Sequence, residues 1–321
     1  MQALNSVGRR TSPARIVVLG TGGTIAGLAS IAGDNLAYAA AQLGVSQLLE
    51  GMGLPDRVSV LSEQVAQVDS KDMDVDVWRA LALRCAHWLA DDDVQGIVVT
   101  HGTDTVEETA YLLQVALSPS KPVVLACAMR PANALMPDGP QNLRDALTVA
   151  VNPEARGVMV VCAGVVHGAL DVRKLHTYRL DAFGSGDAGP IGYVEEGKLR
   201  QLRPWPASPG SAISLIAWPS DPASWPRVEI VTSHAGARGR LVEALVRDGV
   251  HGIVVAGSGN GGVHQALEAA LMQAQVAGVR VLRCSRCDQG EVMERADEQL
   301  PGAGGLSAVK ARIQLMLALM R

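Results

Sequence analysis

Five short segments of the sequence hold residue types that could do chemistry, and each follows an apolar run or a polar turn. Gly20-Thr21-Gly22-Gly23-Thr24-Ile25-Ala26-Gly27 comes straight after Ile16–Leu19. A glycine-rich turn leaves backbone N–H groups open to a ligand. A dinucleotide loop would space its glycines G-x-G-x-x-G ahead of a helix, and a P-loop would add a lysine. Neither pattern is present, so the threonines read as reactive or ligand-contacting hydroxyls. Thr100-His101-Gly102-Thr103-Asp104-Thr105 follows Gly96–Val99. Thr103 and Asp104 fall between a strand end and a helix start, whose free N–H groups and positive dipole end favour a carboxylate or a developing oxyanion. A plain capping turn needs only Thr105, which with Glu108 spells a capping box. His101 reads as a packed turn residue rather than a base.

The other three segments are weaker alone. Asp69-Ser70-Lys71-Asp72-Met73 reads as a capping turn before a helix containing Trp78 and Leu81. Lys174, in Leu170-Asp171-Val172-Arg173-Lys174, is an ordinary surface charge unless it lies buried beside a hydroxyl, where its pKa could fall and make it a base. Ala256-Gly257-Ser258-Gly259-Asn260-Gly261-Gly262 is a plain turn, or a bare backbone against which a small ligand lies. Together these segments supply hydroxyls, a carboxylate, a lysine and glycine-lined backbone. That set suits acyl transfer from an amide, with no metal and no cofactor required.

The elements that must position these residues alternate. Apolar runs at Ile16–Leu19, Gly96–Thr100, Pro122–Cys127, Gly157–Cys162, Val228–Thr232, Gly252–Ala256 and Val279–Arg283 suit strands covered on both faces. Between them lie stripes of helical period: Val106, Ala110, Leu113 and Leu117; Leu143, Leu147 and Ala150; and Val309, Ile313 and Leu317 after Ser307. The expected fold is α/β with two domains: a larger N-terminal, mainly parallel sheet flanked by helices, and a smaller C-terminal α/β domain. Residues Gln201–Arg227 hold six of the sixteen prolines and three of the five tryptophans, and read as a connection packed on the surface. The expected organisation is a tail over 1–14, an N-terminal domain over 15–203, a proline-rich linker over 204–227 and a C-terminal domain over 228–321. In such sheets ligands bind beyond the C-terminal strand ends, where the chemistry-bearing segments fall.

Composition narrows the function. The net charge of −4 gives no basic surplus for a phosphate backbone, and aromatic residues are only 3% of the 321, so nucleic-acid partners are not expected. Apolar stretches are broken well short of a membrane span. The polar N-terminal stretch lacks the apolar run of a secretory signal, so a cytoplasmic location is expected. Five scattered cysteines, Cys85, Cys127, Cys162, Cys284 and Cys287, form no disulfide framework. The CxxC spacing of Cys284 and Cys287 leaves a redox dithiol open beside the preferred reading of ordinary thiols, and no second pair completes a zinc site.

Gly20–Gly27 and His101-Gly102-Thr103-Asp104-Thr105-Val106-Glu107-Glu108-Thr109-Ala110 resemble the two signature segments of the bacterial L-asparaginase/glutaminase family. The similarity continues in order through Ala128-Met129-Arg130-Pro131, Asp138-Gly139-Pro140, Asn142-Leu143, Asp171–Lys174, Gly189-Pro190-Ile191-Gly192, Gly257-Ser258-Gly259-Asn260 and Lys310-Ala311-Arg312. The resemblance implies hydrolysis of L-asparagine to aspartate and ammonia, with possible side activity on L-glutamine. It also implies a homotetramer built as a dimer of dimers, with sites at the subunit interface. It makes Thr24 the nucleophile, assisted by Tyr38. Thr103, Asp104 and Lys174 become a second set, in which Lys174 is the base and Thr103 positions or activates water. Ser70 and Asp104 would hold the substrate's α-carboxylate and α-amino group, and Asn260 would reach the site of a neighbouring subunit. Lys71 stands where periplasmic members commonly carry glutamine; it would either weaken ammonium binding or pair with Asp72 and point away. Glu291, in a shortened stretch after Cys287, is the candidate for the acidic residue that members with glutaminase activity present from the partner subunit. Other classes weighed are a non-catalytic amino-acid sensor on the same fold and an amidotransferase subunit acting on charged tRNA.

Overall fold

The computed structural model describes residues 13–53, 58–206, 215, 218–296 and 299–320. Residues 1–12 of the expected tail, and Pro209 of the linker, lie outside the described residues; Ala14 already opens the first strand. In chain order the elements begin with β1 (Ala14–Gly22), β2 (Leu28–Ala29), β3 (Tyr38–Ala39), α1 (Val45–Leu49), β4 (Val58–Val68), α2 (Val75–Leu89), β5 (Val94–Thr100) and α3 (Val106–Leu117). There follow β6 (Pro122–Ala126), α4 (Gly139–Ala150), β7 (Gly157–Cys162), β8 (Val165–Gly168), β9 (Arg173–Lys174), β10 (Phe183–Gly184), β11 (Gly192–Glu195) and β12 (Lys198–Gln201). The C-terminal part holds β13 (Val228–Thr232), α5 (Arg240–Arg247), β14 (Gly252–Gly257), α6 (Gln265–Val276), β15 (Arg280–Ser285) and α7 (Ala308–Ala318).

The large sheet runs β12-β11-β8-β7-β6-β5-β1-β4. The five strands from β7 to β4 are parallel, and β8, β11 and β12 extend the sheet antiparallel. Side chains alternate across the pleat. Val17, Leu19, Ile97, Val99, Val123 and Leu125 face α2 and α3, while Ile16, Val18, Val98, Val124, Met159 and Val161 face α1 and α4. Both faces are therefore apolar, which is why these strands read as continuous apolar runs. The antiparallel extension carried no such run. Nor did β4, an edge strand whose Val-Ser-Val-Leu-Ser-Glu-Gln sequence mixes apolar and polar residues because much of it faces solvent. Its Glu63 is forked by Arg84 of α2, at 2.6 and 2.8 Å, and this guanidinium holds the carboxyl below the usual range.

Among the parallel strands the spatial order β4-β1-β5-β6-β7 places the second strand outside the first. The direction of winding thus reverses between β1 and β5, which opens a crevice beyond their C-terminal ends. The two threonine-bearing turns leave the sheet at that point.

The small sheet is parallel, ordered β13-β14-β15. One face packs Val231, Ile253, Val255 and Val281 against α5 and α6. The other face, with Val228, Val254 and Cys284, joins α7 and α3 in the main apolar cluster. The two sheets thus share a core, and α7 lies between them. The proline-rich connection is tied to this core by Trp218 and Trp225, stacked edge to face at 5.2 Å. Leu315 of α7 is buried in the shared cluster, so Leu315→Ala should cost about 2–5 kcal/mol of stability, read as a lower urea midpoint.

Candidate active site

The site begins with a contact between two backbones. Gly23 sits at φ 81°, and a Cβ there would overlap the backbone N and Cα of Gly102. A Cβ on Gly102 would in turn overlap the hydroxyl of Ser70. The turns after β1 and β5 are therefore pressed together at their backbones, with the Ser70 side chain packed against Gly102, and only glycine permits it. Thr21 reinforces the junction by donating its hydroxyl to the Thr100 carbonyl at 2.8 Å. That leaves Thr24 as the threonine of the first turn with a hydroxyl available for chemistry.

Thr24 opens a single 3-10 turn, Thr24–Ala26, and is buried. After it the chain makes the small β2–β3 hairpin and returns, with the Ala41 N–H donating to the Gly23 carbonyl at 3.0 Å. The hairpin brings the Tyr38 hydroxyl to 2.7 Å from that of Thr24.

The second turn gathers Thr103, Asp104 and Lys174. The Lys174 ammonium donates to the Thr103 hydroxyl at 2.9 Å and to the Asp104 carboxylate at 2.6 Å. Its side chain is 19% exposed and that of Asp104 is 52% exposed, so the lysine is shielded while the carboxylate faces the opening. Lys174 arrives on β9, a two-residue strand paired with β10. Its own N–H donates to Glu107 on the first turn of α3, at 3.3 Å.

In the capping turn expected over Asp69–Met73, Ser70 is not the capping residue. Asp69 caps the short turn Ser70–Asp72, and Asp74 caps α2 by accepting from the Val77 N–H at 2.9 Å. Ser70 is 2% exposed, and its hydroxyl accepts from the Asp104 N–H at 3.2 Å. Its own hydroxyl proton can then point to a ligand. The expected capping box of Thr105 and Glu108 is also corrected: the Thr105 hydroxyl makes no cap bond and donates to the Ser70 carbonyl at 2.7 Å, tying the two turns together. Lys71 pairs with Asp72 and lies 3.9 Å from Asp69, with most of its side chain in solvent.

His101 is a packed residue, as expected. Thr109 accepts from the Trp78 indole at 2.9 Å, so its hydroxyl proton goes to His101 Nε2, while Nδ1–H donates to the Gly102 carbonyl at 2.7 Å. That network describes a neutral ring, and burial pushes its pKa down to about 4. Asn260 does not join the cluster within its own chain: both ends of its amide bond the Met293 backbone, at 2.9 and 2.8 Å. Cys284 is buried, with burial raising its thiol to about 11, and Cys287 is exposed; both are free. Among the described residues no group of His, Cys, Asp or Glu could hold a metal ion, and no helix is long and apolar enough to cross a membrane.

Hydroxyls backed by a lysine–carboxylate pair, in the crevice of a parallel sheet with a smaller α/β domain beside it, define the class as an amidohydrolase. The chain belongs to the asparaginase family: residues 15–206 match the family's "Asparaginase, N-terminal" region and residues 227–321 its "Glutaminase/Asparaginase C-terminal domain". The chain is 37% identical over 313 residues to L-asparaginase 2 of Bacillus subtilis (strain 168), covering 95% of this chain and 82% of that protein. It is 36% identical over 319 residues to glutaminase-asparaginase of Pseudomonas fluorescens biotype A, covering 97% and 87%. A crystal structure described as a probable cytoplasmic L-asparaginase from Campylobacter jejuni superposes with a TM-score of 0.88 at 37% identity, covering 96% of this chain and 95% of that one.

Two residues at the site escaped the sequence reading as side chains with a task, Glu107 and Lys310. Both look like solvated charges in a helix, and only their burial reveals otherwise.

His101 and His167 carry a pH dependence whose sign is fixed. Burial lowers both to about 4, and His167 bonds the Ser185 hydroxyl at 2.8 Å. Between about 6.5 and 4 the unfolded chain takes up protons that the folded chain refuses, so stability falls as pH falls through that window. The urea midpoint should drop from pH 7 to pH 5, and His167→Asn, which keeps a polar atom near Nδ1, should reduce the drop.

Proposed function

We propose that the protein is an L-asparaginase that hydrolyses the side-chain amide of L-asparagine to L-aspartate and ammonia, with Thr24 as nucleophile. The observation that carries the reading is the joint presence of a Thr24–Tyr38 hydroxyl pair and a Thr103–Lys174–Asp104 set at one strand crevice. A site that only binds an amino acid has no need of a lysine bonded to a threonine hydroxyl, so the sensor reading gains no support.

The Asp104 carboxylate receives the substrate's α-ammonium and the Ser70 hydroxyl donates to its α-carboxylate. The Thr24 hydroxyl oxygen attacks the side-chain carbonyl carbon. Its proton passes through the Tyr38 hydroxyl to the amide nitrogen, and ammonia leaves behind an aspartyl ester on Thr24. The N–H groups of Thr24 and Thr103 are the candidates for holding the oxyanion, each worth about 3–4 kcal/mol in comparable sites. Substrate ammonium at Asp104 competes with Lys174 for the same carboxylate, and Lys174 acts as base in its neutral amine form, its ammonium proton having passed to solvent. Water held by Thr103 then gives a proton towards Lys174 and attacks the ester, and Thr24 recovers its proton as aspartate departs. A second reading has Thr103 attack first, and the 2.9 Å bond from Lys174 favours it.

The assembly proposed is a homotetramer, a dimer of dimers, in which Asn260 and the exposed Glu291 serve a neighbouring subunit's site. A cytoplasmic location is proposed with it, on the similarity to the Campylobacter jejuni protein.

Ammonia release from L-asparagine, D-asparagine and L-glutamine tests the reading. L-Asparagine should be the best substrate, and Thr24→Ala and Lys174→Met should each lower kcat by roughly a thousandfold or more. No turnover of any amide by folded protein would overturn it, and full activity in Thr24→Ala would move the nucleophile to Thr103. Because Lys71 is occupied by its acidic neighbours, Lys71→Gln should change KM for L-asparagine by less than about threefold.

A further inference from the structure

Lys310 lies on α7, between the two sheets, and its side chain is 0% exposed. Around it Ala311, Ile313, Leu315, Met316 and Leu317 are all buried and apolar. An apolar side chain would pack there without the cost of burying a charge. The lysine instead crosses to the large domain and donates to the carbonyls of Leu170 at 3.0 Å and Val172 at 2.6 Å. These carbonyls lead directly into Arg173 and Lys174. In this loop the N–H groups of Asp171 and Val172 turn back onto the Gly168 carbonyl, and Lys310 supplies donors for the two carbonyls. Burial lowers the Lys310 pKa to about 8, against the opposing pull of the Glu107 carboxylate.

Glu107 also holds this strand, since its carboxylate accepts from the Lys174 N–H at 3.3 Å. It stands on the first turn of α3, directly after Thr103-Asp104-Thr105. On α7 and α3 the charges of Arg312 and Glu108 also attract one another. The C-terminal helix therefore grips the segment leading into the strand that carries Lys174 and attracts the helix that follows Thr103-Asp104-Thr105.

We propose that Lys310 is a positioning residue for the reaction: together with Glu107 it fixes the backbone of Lys174, and so sets the Lys174–Thr103 geometry from the C-terminal domain. The inference rests on Lys174 acting in catalysis. A displaced catalytic group lowers turnover more than ground-state binding, which here belongs to Asp104 and Ser70.

The test is ammonia release by Lys310→Met, Lys310→Arg and Lys174→Met, with thermal unfolding of each. Lys310→Met should unfold cooperatively with kcat reduced at least about tenfold and KM within about threefold, and Lys310→Arg, which keeps donors, should recover part of kcat. Unchanged kcat in folded Lys310→Met beside an inactive Lys174→Met would overturn the proposal and leave the role of Lys174 standing. An active Lys174→Met would overturn both. Should Lys310→Met fail to fold, Glu107→Leu decides: a fall in kcat at constant KM supports the proposal, and unchanged kcat refutes it.

Discussion

The structure depends on one close approach, the backbone of Gly23 against that of Gly102. Each glycine lies just beyond the C-terminal end of a strand of the parallel sheet, and β1 and β5 are neighbours because the winding reverses between them. Threonines follow both glycines, so pressing the glycines together sets two hydroxyl-bearing turns side by side. Thr21 and Thr105 give up their hydroxyls to hold this junction, to the carbonyls of Thr100 and Ser70. Thr24 and Thr103 are thereby left for chemistry. Four threonines of similar sequence context divide into two that build and two that face the crevice, and the division is made by which carbonyls lie within reach.

Around this junction the polar groups are layered by exposure. Ser70 and His101 are buried and bonded, Lys174 is mostly shielded, and Asp104 opens to solvent. In the proposed mechanism an entering zwitterion meets the carboxylate first and displaces the lysine from it, so that substrate binding alters the proposed base. Placing Lys174 on a two-residue strand gives it little sheet support of its own; from outside the strand Glu107 accepts from its N–H, and Lys310 bonds the carbonyls of Leu170 and Val172 just before it.

Much of this was legible in the sequence. The seven buried strands announced themselves because both of their faces are covered, and the ends of these strands marked the site. The edge strand β4 and the antiparallel strands β11 and β12 did not, because one-sided burial leaves no unbroken apolar run, and β8, though buried, is a short Val-Val-His-Gly segment broken by its histidine and glycine. Of the residues the family resemblance singled out, Thr24 lies against Tyr38, and Thr103 and Asp104 both accept from Lys174. What spacing could not convey is how individual hydroxyls are spent: Thr105 looked like a cap and is a tie, and Ser70 looked like part of a cap and is a buried contact to Asp104. Lys310 is the sharpest case, since a lysine within an apolar helix reads as a surface charge until its carbonyl partners, some 140 residues away in sequence, are brought beneath it.

The central claim is that the two turns divide the reaction, Thr24 carrying the acyl group and the Thr103–Lys174 set delivering water. Acid-quenched peptide mapping of Lys174→Met incubated with L-asparagine tests this most directly. The division predicts an aspartyl ester trapped on the peptide containing Thr24, formed with a single burst of ammonia per site. An ester on the peptide containing Thr103 would contradict it.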